Sequence, residues 1–212
     1  LHKLNDGGDQ LVEIIVMSKN SADTSLRIFN SIQHYGLDIS RAALVGGNKI
    51  TPYLSAFNTG LFLSADEQDV QEAIDGGIAA GLICAHDDLS IRPDDQIDQI
   101  RIAFDGDAVI FSDESEMIFK AEGLAAFEEH ERLNAQKPLP EGPFAKLLRT
   151  ISRVQKQFGT DYMPIRTALV TSRNAPAHER VIRTLRAWGV RIDEVFFMGG
   201  VRKSDVLKAF GA

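Results

Sequence analysis

Short apolar runs rich in β-branched residues alternate along this chain with segments whose apolar positions recur every three or four residues. That alternation is the pattern of βα units, in which helices cover parallel strands. It predicts an α/β protein with strands at about 12–17, 42–45, 60–64, 79–84, 100–104, 166–170 and 194–198. Between them, Leu26, Phe29, Ile32 and Gln33 share one face of a helix over 22–35, and Val181, Ile182, Leu185 and Trp188 do so over 175–188. Both helices are expected to lay that face on a sheet. Residues 114–158 break the alternation. There a charged helical tract, "MIFKAEGLAAFEEHERLNAQ", and a turn, "KPLPEGP", precede another helix, "FAKLLRTISRVQKQF", forming an insertion between two strands.

Laid together, the two ends of the chain show an internal repeat. From Gly36 to Phe57 against Gly189 to Phe210, a Gly, an Ile, a Gly-Gly pair, a Leu and an Ala-Phe pair coincide without a gap. Shared helical spacing alone would not reproduce the glycines, which favours two copies of one α/β unit. The first copy continues into "NTGLFLSADEQDVQEAIDGGIAAGLIC", a strand, a helix and a strand. The second stops at Ala212, where its matching strand is due, and nothing before "LHKLN" matches "IAFDGDAVIF". The expectation is a chain clipped at both ends of a longer tandem protein.

At 212 residues, with 44% hydrophobic and 25% charged, the chain can form one large domain or two small ones. No apolar run approaches the roughly 20 residues of a bilayer span, and the start "LHKLNDGGDQ" carries no leader pattern, so a soluble, cytoplasmic protein without a membrane partner is expected. The single cysteine, Cys84, follows Leu82 and Ile83 and is read as a small buried apolar residue rather than a nucleophile. A net charge of -7 argues against a nucleic acid polymer as partner, since that affinity comes from Lys and Arg neutralising phosphates. A small anion can still bind in a local basic pocket.

The strand "IRIAF" delivers Asp105 to the carboxyl end of a parallel sheet, where open α/β folds bind ligands. Gly106 permits a turn there, and Asp107 can swing back to the same side. Two neighbouring carboxylates repel unless a cation, a raised pKa or solvent relieves them, and hard oxygen donors suit a divalent ion such as Mg2+. Asp-Gly-Asp also reads as a plain turn with good capping residues. After the strand "IRTALV", Thr171, Ser172 and Arg173 place two hydroxyls and a guanidinium in a loop before a helix, a favourable place for an anion; Thr171 as a helix N-cap is the plain alternative. After "EVFFMGG", Lys203 opens a helix at the same sheet edge and can neutralise a phosphate and the Asp105 charge, although a lysine there is also simply solvated.

Asp-x-Asp on a first strand, Thr on a second and Lys on a third is the motif order of the haloacid dehalogenase-like phosphohydrolases, which this sequence resembles. The segments "AFDGDAVIFSDESE", "FEEHE", "GPFAKLL", "PIRTALVTSR", "TLRAWG" and "FMGG", with "NSADTSLRIFNSIQHYGLDI" and "LFLSADEQDVQEAIDGGIAA" in the first half, are similar to the cytosolic 5'-nucleotidase family. The likeness covers essentially the whole chain. It implies a Rossmann-like, three-layer α/β/α fold in a tandem haloacid dehalogenase-like repeat: residues 1–98 a degenerate, noncatalytic copy, and residues 99–212 the working copy with a small helical cap insertion at about 114–158.

The resemblance also implies roles. Asp105 would attack phosphorus to form an aspartyl-phosphate, and Asp107 would serve as general acid and base. Thr171 would bind a phosphoryl oxygen and Lys203 would stabilise negative charge. The Asp105 carboxylate and the Asp107 backbone carbonyl would hold Mg2+. Ser18 and Ile50 fall where the second copy has Thr171 and Lys203. An acidic fourth motif is expected after Ala212, with Asp66 its counterpart in the first copy. Phe111, Ser112, Glu114, Glu116, His130 and Arg132 are candidates to line the cap's nucleoside site; His130 also reads as a solvated helix residue. Ser172, Arg173 and Asn174 are candidates for a nucleotide phosphate or ribose. The expected activity is Mg2+-dependent hydrolysis of nucleoside 5'-monophosphates. A phosphatase for other small phosphate esters and a noncatalytic nucleotide sensor are the alternatives, and a tandem protein with a surface Gly-Gly loop can also form a homo-oligomer.

Overall fold

The computed structural model describes residues 1–5, 8–84, 99–159 and 162–212, which fall into two compact units, Leu1–Leu89 and Ser90–Ala212. The boundary expected between 98 and 99 lies at the edge of 85–98, outside the described residues. In the first unit, β1 (Ile15–Ser18) is followed by α1 (Leu26–His34), β2 (Arg41–Leu44), α2 (Thr51–Ala56), β3 (Phe62–Ser64), α3 (Glu67–Asp75) and β4 (Ala80–Leu82). β1 pairs in parallel with β2, and β3 with β4. Ile50, Leu54, Phe62, Val70, Ala73 and Ala80 form the core, with Met17 and Val45 packed against it. α3 begins where Asp66, in extended conformation, accepts the Asp69 N–H at 3.0 Å, which satisfies one of the free donors of the first turn.

Two expectations fail in this unit. α1 forms, but it buries no residue, and Leu26 and Phe29 are 68% and 43% exposed. Its apolar stripe is covered only in part, with Ile28 and Ile32 half-buried. Cys84 is exposed rather than buried, because β4 ends at Leu82 and the apolar run outlasts the strand: Ile83 is exposed as well.

In the second unit, β5 (Ile100–Asp105) precedes the inserted helices α4 (Glu114–Glu122), α5 (Leu124–Leu133) and α6 (Ala145–Gln155). Then come β6 (Ile165–Thr171), α7 (His178–Ala187), β7 (Glu194–Phe197) and α8 (Lys203–Phe210). The strands form one parallel sheet in the order β5-β6-β7. The central strand β6 is buried at every position except Arg166, as its nearly unbroken apolar run requires. α6 buries Ala145, Leu148, Ser152 and Gln155 along one stripe; α7 buries Val181 and Leu185 of its predicted face, with Thr184 beside them, while Ile182 and Trp188 are half-buried. The charged tract expected as one helix breaks at Gly123 (φ 84) into α4 and α5, which pack on each other with the Phe119 and Phe127 rings edge to face at 6.3 Å.

Local geometry recurs between the aligned segments of the two units. Ser18 lies opposite Leu44 as Thr171 lies opposite Phe197. Val45 N–H donates to the Ser18 carbonyl and Met198 N–H to the Thr171 carbonyl, both at 2.9 Å. The paired glycines share left-handed backbone: φ 60 and 64 at Gly36 and Gly189, 56 and 87 at Gly46 and Gly47, and 52 and 97 at Gly199 and Gly200. A side chain would be strained at each, which explains why the glycines coincide in sequence. Ile50 is buried in the core of the first unit at the position aligned with Lys203.

Candidate active site

Asp105 ends β5 opposite Val170, one residue before Thr171 ends β6. Its carboxylate accepts the Gly106 N–H at 2.7 Å and the Lys203 ammonium at 2.6 Å. Lys203 is the first residue of α8, so parallel pairing brings side chains far apart in sequence to one carboxyl edge of the sheet. Thr171 is fully buried, and it is not the helix N-cap of its alternative reading, because α7 starts only at His178 with Ala177 at its N-cap. Gly106 is pressed against it: a Cβ there would lie 3.0 Å from Thr171 Oγ1 and 3.1 Å from its Cβ. The chain then loops through Ala108, at φ 61, and closes with Phe111 N–H donating to the Gly106 carbonyl at 3.0 Å.

Within this loop Asp107 turns to Arg173. The guanidinium donates from Nε to both carboxylate oxygens at 3.1 Å and from Nη2 to Oδ1 at 2.5 Å. Its Nη1 donates to Glu131 Oε2 at 2.6 Å, while Glu131 Oε1 accepts the Ser115 hydroxyl at 2.7 Å and Arg180 Nη1 at 2.9 Å. The Arg173 and Glu131 side chains are 1% and 0% exposed. Phe111 and Phe127 flank the guanidinium, with ring centres 6.0 and 5.5 Å away. Burial alone would push the Arg173 pKa down, but the hydrogen bonds and charge of Asp107, with those of Glu131, outweigh it and hold the group above the usual arginine range.

Arg173, expected to face a phosphate or ribose, thus faces two carboxylates. Its neighbours Ser172 and Asn174 are exposed. Phe111 is fully buried, packed 5.8 Å from the Trp188 ring, and Ser112 is tied by its N–H to the Pro140 carbonyl at 3.0 Å. His130 sits 3.6 Å from Glu114 and 3.3 Å from Arg180 Nη1. Glu116 and Arg132 pair within their own helices, with Lys120 and Glu129, both at 2.7 Å. Glu131, Arg180 and Ser115 had escaped the sequence reading. The available signal was a Glu four residues after Phe127, on the buried face of α5, and an Arg beside Val181 on α7.

Among the described residues no group of three His, Cys, Asp or Glu side chains could hold a metal. The Asp105 carboxylate has the chemistry of a Mg2+ ligand, since that ion is commonly held by one or two carboxylates together with substrate phosphate and water, whereas the Asp107 carboxylate is taken up by Arg173. The Asp105 carboxylate is 45% exposed and each oxygen accepts a single hydrogen bond, so lone pairs remain. Asp66, aligned with the expected fourth acidic motif, instead caps α3 and lies 3.7 Å from Lys19.

Parallel strands that gather an acidic loop, a buried threonine and a lysine at one carboxyl edge define an α/β protein with a polar, charged sheet edge. Comparison with known proteins narrows this class: the chain belongs to the 5'-nucleotidase family, whose model matches residues 1–212. It is 42% identical to human cytosolic 5'-nucleotidase 1B over 98% of this chain and 34% of that protein. The chain therefore spans about a third of the length of that relative. No solved structure matches it.

Proposed function

We propose that the protein carrying this chain is a cytoplasmic, Mg2+-dependent 5'-nucleotidase that hydrolyses nucleoside 5'-monophosphates to nucleoside and phosphate. The observation that carries the reading is the contact of Lys203 with Asp105 at the sheet edge beside buried Thr171. A carboxylate oxygen of Asp105 attacks phosphorus as the bond from phosphorus to the ribose oxygen breaks, leaving an aspartyl-phosphate. Asp107 gives a proton to the departing oxygen, then takes one from the water that releases phosphate and regenerates Asp105. Thr171 and the neighbouring backbone orient the phosphoryl oxygens, and Lys203 offsets their charge. Mg2+, held by Asp105 and the Asp107 backbone carbonyl, would supply neutralisation of the charge spread over those oxygens. The insertion over 114–158 is the part of the chain suited to enclosing the nucleoside and excluding water.

The test is phosphate release from AMP, IMP, dCMP and glucose 6-phosphate, with Mg2+ and with EDTA, by the intact protein and its Asp105→Asn variant. Metal-dependent release from the nucleotides alone, lost in the variant, is the expected result. Equal release from the sugar phosphate would redirect the reading to a general phosphatase. Nucleotide binding without any release would leave a sensor.

A further inference from the structure

Apart from Asp107, the buried ion network behind the acidic loop has no place in the steps above. Its four charged members come from separate parts of the second unit: Asp107 from the loop after β5, Glu131 from α5, Arg173 from the loop after β6, and Arg180 from α7. We propose that Arg173 and Glu131 are positioning residues, with Glu131 anchoring Arg173 and Arg173 fixing the carboxylate of Asp107 for proton transfer. This rests on the nucleotidase reading.

Three observations support it. First, Arg173 is closed to substrate, because it is 1% exposed and its Nε, Nη1 and Nη2 all donate to the carboxylates of Asp107 and Glu131. Second, the contact to Asp107 uses the Nε edge of the guanidinium against both carboxylate oxygens. That planar fork fixes orientation as well as distance, which a lysine at the same place would not do. Third, the network is a costly way to gain stability, since buried ion pairs commonly do no better than well-packed apolar residues of similar volume. Glu131 in particular has no exposed surface and takes two arginines and the Ser115 hydroxyl. Such a complete shell leaves Arg173 little freedom to swing. The arrangement thereby ties the place of Asp107 to α5 of the insertion, without Glu131 or Arg173 touching the reacting atoms.

The experiment compares steady-state AMP hydrolysis by the intact wild-type protein, Glu131→Gln and Arg173→Lys, each checked for folding by circular dichroism and thermal unfolding. Displacing a catalytic group by about 1 Å costs on the order of 100-fold in rate. The expected result is a fall in kcat of that order in both folded variants, with KM within about threefold, because Thr171 and Lys203 still hold the phosphate. Arg173→Lys, which keeps the charge and loses the fork, should fail to rescue. A rise in KM at unchanged kcat would show that the network acts on substrate binding and would overturn the inference. So would wild-type kcat in either folded variant, and either variant suffices if the other does not fold. Absence of turnover in the wild-type protein would overturn the nucleotidase reading and this inference with it, whereas the outcomes in the variants bear on the inference alone.

Discussion

Replacing Gly142 with alanine should open the clasp that holds the acidic loop. A Cβ at this position would lie 2.3 Å from the Phe111 carbonyl oxygen, 2.5 Å from that of Val109 and 2.7 Å from the Phe111 carbonyl carbon. Close carbon–oxygen contacts in proteins fall near 3.3 Å, so the two backbones must part by about 1 Å. The Gly142 N–H donates to Ile110 at 2.9 Å and the Phe144 N–H to Val109 at 3.0 Å. A 1 Å separation carries both beyond hydrogen-bonding distance. Each bond contributes about 1 kcal/mol net, and forced overpacking adds roughly 1–3 kcal/mol, for a loss of about 3–5 kcal/mol. Urea unfolding of the second unit reads this directly. Gly159→Ala is the control, since no atom lies within 4 Å of its Cβ position, and it should stay within about 0.5 kcal/mol of wild type. A Gly142→Ala protein within about 1 kcal/mol of wild type would refute the argument that close backbone approach requires glycine here.

Further outcomes follow from the same contacts. Ser115→Ala removes a hydrogen bond to the buried Glu131 carboxylate and should cost about 1.5–3 kcal/mol in thermal or denaturant unfolding; an unchanged midpoint would show that the remaining donors suffice. Gly106→Ala pushes on the Thr171 side chain from 3.0 Å and should cost about 1–3 kcal/mol, with a loss of kcat in the same variant. In the first unit, Glu13 is held below its ordinary pKa by the hydrogen bond of Arg41, Asp66 by the Asp69 N–H, and Glu72 by the hydrogen bond of Lys49. The unfolded chain therefore takes up protons first, so this stabilisation is complete above the ordinary values of 4.5 for Glu and 3.8 for Asp and is lost as the pH falls through the lowered ones. Thermal unfolding of the first unit should move to lower temperature on acidification through that range, less steeply in high salt because the groups are exposed; a midpoint indifferent to pH would contradict it.

The strands were legible because their local pattern and their environment agree. β6 reads as an apolar run and is buried between β5 and β7, and Asp105, Thr171 and Lys203 follow from being strand or helix ends at one edge. What stayed hidden depends on direction rather than period. Arg173 in "TSRNAP" has the same local sequence whether it points out to an anion or in to Asp107 and Glu131. The choice was made by α5, whose Glu131 supplies a buried counter-charge that only tertiary packing brings near. α1 shows the reverse failure: its periodicity forecast a helix correctly, while the burial of its apolar face depends on a neighbour that the helix sequence does not encode.

The charges around the loop also bear on why a cation belongs in the proposed reaction. Asp105, Asp107 and Glu131 are matched by Lys203, Arg173 and Arg180, three carboxylates against three cationic side chains. Lys203 and Arg173, the cations paired with the two loop aspartates, are therefore already committed before substrate arrives. A phosphate monoester brings between one and two negative charges at neutral pH, which this balanced set does not offset. A divalent ion at Asp105 would restore neutrality, so phosphate ester and Mg2+ should each bind weakly alone and favour one another, a coupling that is reciprocal by linkage. Calorimetric titration of a phosphonate analogue of AMP, which cannot be hydrolysed, into the wild-type protein should give at least about tenfold tighter binding with Mg2+ than with EDTA, equivalent to about 1.4 kcal/mol of coupling. Equal affinity in both buffers would show that the protein's own cations carry the phosphate, and the charge argument for the metal would fall.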